Sequence, residues 1–438
     1  MPTIRLFSLL VSASLAVPLF AQTLEQRVDR ELPQLMETYR GLHAAPELSR
    51  QETKSSALVA ARLRGLGYEV TERVGKYDDG SQANGVVGVM RNGKGPTLLI
   101  RSDMDGLPII EQTTAAFASK VRTKSPSGDE VGVMHACGHD VHMTSLIGAA
   151  KILAETKSAW KGTLLLVGQP AEEIGAGAEA MMRDGMYERF PRPDYSFAIH
   201  DWAMAEAGKV VYVSGFAMAA IDAVDITVRG VGGHGAAPQQ TRDPIVLASQ
   251  IVLALQTIVS RDRSPVDPVV VTVGSFHGGT KRNIIPDEVK LTLTVRTFKP
   301  EVRERVLAAI ARIARGTAIA AGIPDDRMPI VNVIEGEGGK ATYNDPKLTE
   351  RITTALAKHL GQANVSATDP ATVSEDFGNF SDGGKIPSVL LFVGAGDRSL
   401  IEQGKQPGLH SSQFLPVAEP AIRTAVRTIV STAYELLR

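Results

Sequence analysis

Hydrophobic and polar positions divide the chain into alternating helices and strands. Apolar residues recur at helical spacing over Leu24 to His43 and over Ser49 to Leu66, the second run closing on Gly65-Leu66-Gly67, and a strand starts at Tyr68-Glu69-Val70. Val86 to Met90 and Thr97 to Ile100 are short apolar runs about the turn Arg91 to Gly95, which predicts a hairpin. Small and apolar residues from Met143 to Leu153 predict a buried helix, Gly162 to Val167 a buried strand, and Ser196 to His200 and Leu390 to Gly394 two more. This alternation predicts an α/β layer fold that carries its functional residues at strand ends.

The middle of the chain follows a different order. A strand over Ala223 to Gly230 leads to a helix over Asp243 to Ser260, with Pro244 in its first turn, and then to strands over Val269 to Ser275 and Val289 to Phe298. A long helix over Pro300 to Ala321 and a strand over Ile330 to Glu335 complete the order β-α-β-β-α-β. The expectation is a ferredoxin-like α+β domain over 214–336, inserted into a catalytic α/β domain formed by 22–213 and 337–438. Met1 to Ala21 stands apart from both. Arg5 precedes the apolar run Leu6 to Phe20, and the small Ala21 closes it, the pattern of a secretory signal peptide. The run is short for a membrane span, so the mature chain is expected to be secreted or periplasmic with no span of its own.

Composition excludes some partners. A net charge of -1 over 438 residues, with 22% charged residues and no basic run, gives nucleic acid no electrostatic footing. The single cysteine cannot close an intrachain disulfide, so in an oxidising compartment its thiol is expected to be buried or bound to a metal.

That cysteine lies in Met134-His135-Ala136-Cys137-Gly138-His139-Asp140-Val141-His142-Met143, which also holds three of the nine histidines. A lone cysteine is more often a small core hydrophobe than a ligand. Here Gly138 makes a turn on which Cys137 and His139 can face one centre, just ahead of a rigid helix. Asp103 and Asp105 follow the strand ending at Ile100. Glu172 and Glu173 follow the strand ending at Val167, and adjacent carboxylates in a dry site call for a cation or a shared proton. His200 closes one later strand and His410 follows the other. Cys137, His139, Glu173, His200 and His410 are thus five side chains of metal-ligand type, each at the edge of an element.

Together with Leu42-His43-Ala44-Ala45-Pro46-Glu47-Leu48-Ser49, His234 and Ser374-Glu375-Asp376-Phe377, these segments resemble the co-catalytic metallopeptidase family of aminoacylases and carboxypeptidase G. They are most similar to its amidohydrolase branch of hippurate hydrolases and indoleacetyl-amino-acid hydrolases. The resemblance implies two divalent ions, zinc or manganese, bridged by Cys137, with His139 and His200 completing one site and Glu173 and His410 the other. It implies Glu172 as general base to a metal-activated water, and Asp105 as the residue that orients His139 or a neighbouring ligand. The implied substrate is an N-acyl (acetyl, benzoyl or aryl-acyl) amino acid or a small peptide. His234, in the glycine-rich loop Gly230 to Pro238, is implied to stabilise the oxyanion, with Asn283 near the substrate. Such a remote loop can do this only from a partner subunit, in a homodimer formed through the inserted domain, or by domain closure. Ser102, Ile174 and Asp201 depart from the branch pattern and are expected to border the substrate pocket. A non-catalytic exported ligand-binding protein on the same fold is the alternative, against which the intact Glu172 and the full ligand set argue.

Overall fold

Residues 22–125, 127–334 and 338–438 are described in this computed structural model. The segment Met1 to Ala21, expected as a signal peptide, lies outside them, as does Glu335 at the end of the last strand expected in the middle of the chain. Long apolar runs without alternation become the centre of an eight-stranded sheet. Its order is Glu69–Lys76, Gln82–Asn92, Gly162–Gln169, Thr97–Asp103, Tyr195–Glu206, Ser388–Gly396, Val210–Tyr212 and Val365–Ala367. The four strands from Gly162–Gln169 to Ser388–Gly396 run parallel. Strands buried on both faces need no polar side, which is why their sequences read as unbroken apolar runs. Helices Leu24–Ala44, His139–Glu155 and Ala418–Leu436 cover one face of the sheet.

Two local expectations are corrected. Gln82–Asn92 and Thr97–Asp103 are not a hairpin, because Gly162–Gln169 lies between them, antiparallel to the first and parallel to the second. The turn crosses over the start of the intervening strand, and a side chain at Gly95 would come within 2.8 Å of the Lys161 carbonyl. The second helix begins at Thr53 rather than Ser49. Leu48 is drawn into a bridge with Gly106, and the Glu47 carboxylate accepts hydrogen bonds from the free N–H groups of Lys54 and Ser55.

The middle of the chain forms its own antiparallel sheet in the order Val269–Gly278, Glu288–Thr297, Ala220–Arg229, Ile330–Val333, backed by helices Pro244–Thr257 and Pro300–Ala320. This is the ferredoxin-like arrangement. Asp243 caps the first of these helices through the Ile245 N–H. The two chain crossings between the sheets pair with each other, Gly215–Met218 against Thr342–Asn344, and make a short antiparallel ribbon.

The buried Asn344 anchors that ribbon to the main sheet. Its amide donates to the carbonyls of Val213 at 2.8 Å and Leu390 at 2.9 Å, and its oxygen accepts from the Leu390 N–H at 2.7 Å. Asn344→Ala leaves three backbone groups without their partner and should cost about 2–4 kcal/mol. Denaturant unfolding of the metal-free protein measures this, and a loss below about 0.5 kcal/mol would show that the anchor contributes little.

Candidate metal centre

The parallel strands deliver the chemistry at their C-terminal ends. Asp103 ends one strand, Glu172 and Glu173 follow the next, His200 lies within the third, and His410 follows the fourth. Cys137 and His139 come from the turn that starts helix His139–Glu155, where Gly138 is the N-cap with φ 77. The donor atoms of Cys137, His139 and His200 lie within 4.8 Å of one another, and so do those of Cys137, Glu173 and His410. Cys137 is common to both groups, its Sγ 3.6 Å from His200 Nε2 and 3.2 Å from His410 Nε2. His410 Nε2 in turn lies 3.4 Å from Glu173 Oε2.

Hydrogen bonds aim these donors. His200 Nδ1 donates to the Asp201 carbonyl at 2.7 Å, which leaves the Nε2 lone pair facing Cys137. Burial, and then His142, pushes the His200 ring down to about 4, so it is neutral. Asp105 does more than orient one ligand. Its two carboxylate oxygens accept from the N–H groups of Glu172 at 3.1 Å and Glu173 at 3.0 Å, and Oδ1 lies 3.4 Å from His139 Nδ1. Ser49 donates to the same carboxylate at 2.6 Å. Asp103 stands 3.6 Å from the other ring nitrogen of His139. His142, by contrast, has no free lone pair. It donates from Nδ1 to Asp103 at 2.6 Å and accepts the Asp201 N–H on Nε2 at 2.8 Å.

The donor set fits two divalent cations. His139 Nε2 and Glu173 Oε1 are buried with no hydrogen-bond partner among the described residues. Without a cation, protons must relieve the crowding of charge: burial opposes a charge on His139, yet Asp103 and Asp105 lift it to about 10. Burial raises Glu173 to about 8, and burial together with Glu375 and Glu173 pushes Glu172 well above the carboxylate range. Burial likewise drives the Cys137 thiol up, against the ionised form a metal requires. Divalent charge at this point would reverse all three shifts, since it favours every anionic form at once.

Beneath the donors lies a buried network that sequence reasoning did not assign. The Arg101 guanidinium reaches Asp103 at 2.5 Å, Glu375 at 2.6 Å, Asp376 at 3.2 Å and Gln169 at 2.7 Å. Above them opens a cleft of about 900 Å³ floored by Cys137, Glu172, Glu173, His200 and His410. Its opposite wall is the inserted sheet, with Thr272, Thr294 and Arg296. Arg296 was also missed, although it ends the alternating polar row Glu288, Lys290, Thr292, Thr294, Arg296 of its strand. His234 and Asn283 are not brought to this cleft. They lie together on the inserted domain, where the Gly235 N–H donates to the Asn283 carbonyl at 2.9 Å and His234 is exposed. Of the three departures from the branch pattern, Ile174 lines the cleft, but Ser102 and Asp201 are buried away from it. The Asp201 carboxylate packs over Gly138 instead, in the space that the missing side chain leaves.

A methyl group on Gly138 would sit 2.0 Å from Asp201 Oδ2, in a backbone conformation that also disfavours any side chain. Gly138→Ala should therefore displace Cys137 and His139 and weaken metal binding by at least about tenfold, as disturbed ligand support does elsewhere. Metal content after dialysis checks it, and full occupancy would refute the tight fit.

The comparisons with known proteins agree with this geometry. The model of peptidase family M20/M25/M40 matches residues 99–434. The chain is similar to hippurate hydrolase of Campylobacter jejuni, 37% identical over 352 residues, which is 80% of this chain and 85% of that protein. It is 36% identical to thermostable carboxypeptidase 2 of Saccharolobus solfataricus over 389 residues, 87% of this chain and 90% of the relative. A solved structure, the YXEP protein of Bacillus subtilis, described as a dinuclear metal binding peptidase from the M20 family, superposes with a TM-score of 0.75 at 28% identity. That match covers 93% of this chain and 99% of the other. With the motifs in family order and the donors gathered at the strand ends, the chain belongs to peptidase family M20/M25/M40 and is a metal-dependent amidohydrolase.

Proposed function

We propose that this enzyme is exported and hydrolyses the amide bond of N-acyl amino acids, with acetyl, benzoyl or other aryl-acyl groups, or of small peptides. The observation that carries the reading is the cleft itself, with paired donor groups on its floor and Arg296 on its opposite wall. Arg296 has no hydrogen-bond or ion-pair partner among the described residues, and burial lowers its pKa. An unpaired, half-buried guanidinium favours a ligand carboxylate, the group that an N-acyl amino acid presents next to its amide.

Two ions, zinc or manganese, would polarise the amide carbonyl and lower the pKa of a water. Cys137 would bridge them, His139 and His200 completing one site and Glu173 and His410 the other. Glu172, with Oε2 3.8 Å from His139 Nε2, stands beside the donors and is the group to take the water's proton and return it to the leaving amine. Names of relatives such as hippurate hydrolase and thermostable carboxypeptidase support an acyl-amino-acid or peptide substrate. The Arg5 and Leu6 to Phe20 pattern supports export.

His234 and Asn283 would serve the cleft of a second copy. Val246 and Leu253 on helix Pro244–Thr257 are 54% and 72% exposed, and the neighbouring edge strand Val269–Gly278 carries no Asp, Glu, Lys or Arg. An edge without charges invites pairing with another chain, which supports a homodimer through the inserted domain.

Acetyl, benzoyl and indoleacetyl amino acids and dipeptides should be cleaved with zinc or manganese present and left intact after chelation; turnover by metal-free protein would defeat the reading. Glu172→Gln should keep its metal while the rate falls at least about a hundredfold. Should metal be lost together with activity instead, Glu172 is a ligand and the two glutamates have exchanged roles. Arg296→Met should raise KM about 10- to 100-fold for substrates with a free carboxylate and far less for their amides, the scale of one lost charged hydrogen bond. Equal losses on both would remove Arg296 from carboxylate recognition.

A further inference from the structure

The donor His410 is held in place by a strap whose anchor, Glu111, is far from it in the chain. His410 has φ 64, a left-handed conformation that a residue with a side chain keeps only where its surroundings impose it. Two backbone hydrogen bonds do so. The His410 N–H donates to the Ala136 carbonyl at 2.8 Å, and the Ser412 carbonyl accepts from the Gln112 N–H at 2.8 Å. The first contact belongs to the Cys137 turn. The second belongs to the irregular segment 107–121, which is stitched to the chain ahead of Cys137 through Leu107 and Met134, and through Ser119 Oγ and the Val133 carbonyl.

That segment is fixed at Glu111. One carboxylate oxygen accepts from the Ser119 N–H at 2.6 Å, and the other accepts from Thr113 Oγ1 and lies 3.1 Å from His43 Nε2. His43 is fully buried, and its Nδ1 lies 2.7 Å from Asp140 Oδ2, on the residue after His139. Burial opposes a charge on this ring, but the hydrogen bonds to Asp140 and Glu111 outweigh it and raise its pKa to about 10. Phe117 of the same segment packs edge-on against His43 at 5.3 Å. An imidazolium with one carboxylate on each nitrogen is a rigid pin between helix and strap, because moving either carboxylate away leaves a buried charge unpaired.

We propose that Glu111, pinned by His43, is a positioning residue for His410, so that it sets the affinity of the ion held by Glu173 and His410 while leaving the other ion to Cys137, His139 and His200. This rests on the proposed division of the ligands. Removing Glu111 leaves the His43–Asp140 pair, and with it the start of the His139 helix, intact.

The experiment is a zinc titration of metal-free Glu111→Ala and of the milder Glu111→Gln, which keeps the side chain's size and an accepting oxygen. Hydrogen exchange of segments 408–414 and 137–142 in the metal-free proteins is followed alongside. The expected result is one ion bound as in the unaltered enzyme and the second weakened at least about tenfold in Glu111→Ala, with activity recovered at high zinc. Exchange should quicken in 408–414 and not in 137–142. Unchanged binding of both ions, or equal weakening with faster exchange in both segments, would overturn the proposal. If Glu111→Ala does not fold, Glu111→Gln decides by the same readings with a smaller shift. If the unaltered enzyme binds fewer than two ions, the ligand division fails, and the exchange measurement, which needs no metal, still decides the strap.

Discussion

Six carboxylates, those of Asp103, Asp105, Glu172, Glu173, Glu375 and Asp376, are gathered around one point, their side chains 8% exposed or less, and they cannot all be ionised there without positive charge among them. Arg101 supplies one fixed cation from beneath, and its own charge is favoured by Asp103, Glu375 and Asp376 despite complete burial. The remainder of the imbalance falls on the side that faces the cleft, where Cys137 and three histidines are presented. Much of the local structure follows from holding that arrangement still.

The arrangement is held largely by backbone groups. Asp105 grips the N–H groups of both glutamates, and Glu52 accepts the N–H of Ala171, just before them, at 2.8 Å. Ala171 has φ 50 and His410 φ 64, so a left-handed residue with a side chain occurs at or immediately beside a donor segment twice. Such conformations cost about 1–3 kcal/mol each and persist only where neighbouring contacts fix them. Segments distant in sequence provide those contacts: the loop after the first helix, the turn before Cys137, and the strap 107–121. The inserted sheet then faces this rigid floor across the cleft, joined to it by the paired ribbon at Asn344. Floor and wall can thus differ in stiffness, the floor fixed by buried hydrogen bonds and the wall carried on two short strands.

Much of this was legible in the sequence because local chemistry and local pattern agreed. The unbroken apolar runs marked central strands, the β-α-β-β-α-β order marked the inserted domain, and Gly138 between Cys137 and His139 marked a turn that presents both. The motif order also identified the family. Less legible was anything that depends on which strands become neighbours. Gln82–Asn92 and Thr97–Asp103 read as a hairpin because the strand that separates them begins only at Gly162, 59 residues after Asp103. Asp201 read as bordering the pocket because it departs from the branch pattern beside His200, yet it packs on Gly138.

What the sequence determined by itself, therefore, was the kinds of element, the candidate donor residues and the family. These follow from periodicity over a few residues and from side-chain chemistry, both written locally. Tertiary structure alone decided that Cys137 stands between two donor groups, that Asp105 serves three residues at once, that Arg101 binds four partners, and that Arg296 overlooks the cleft. Most of these are meetings of residues far apart in the chain, which only the packing of the sheets brings together.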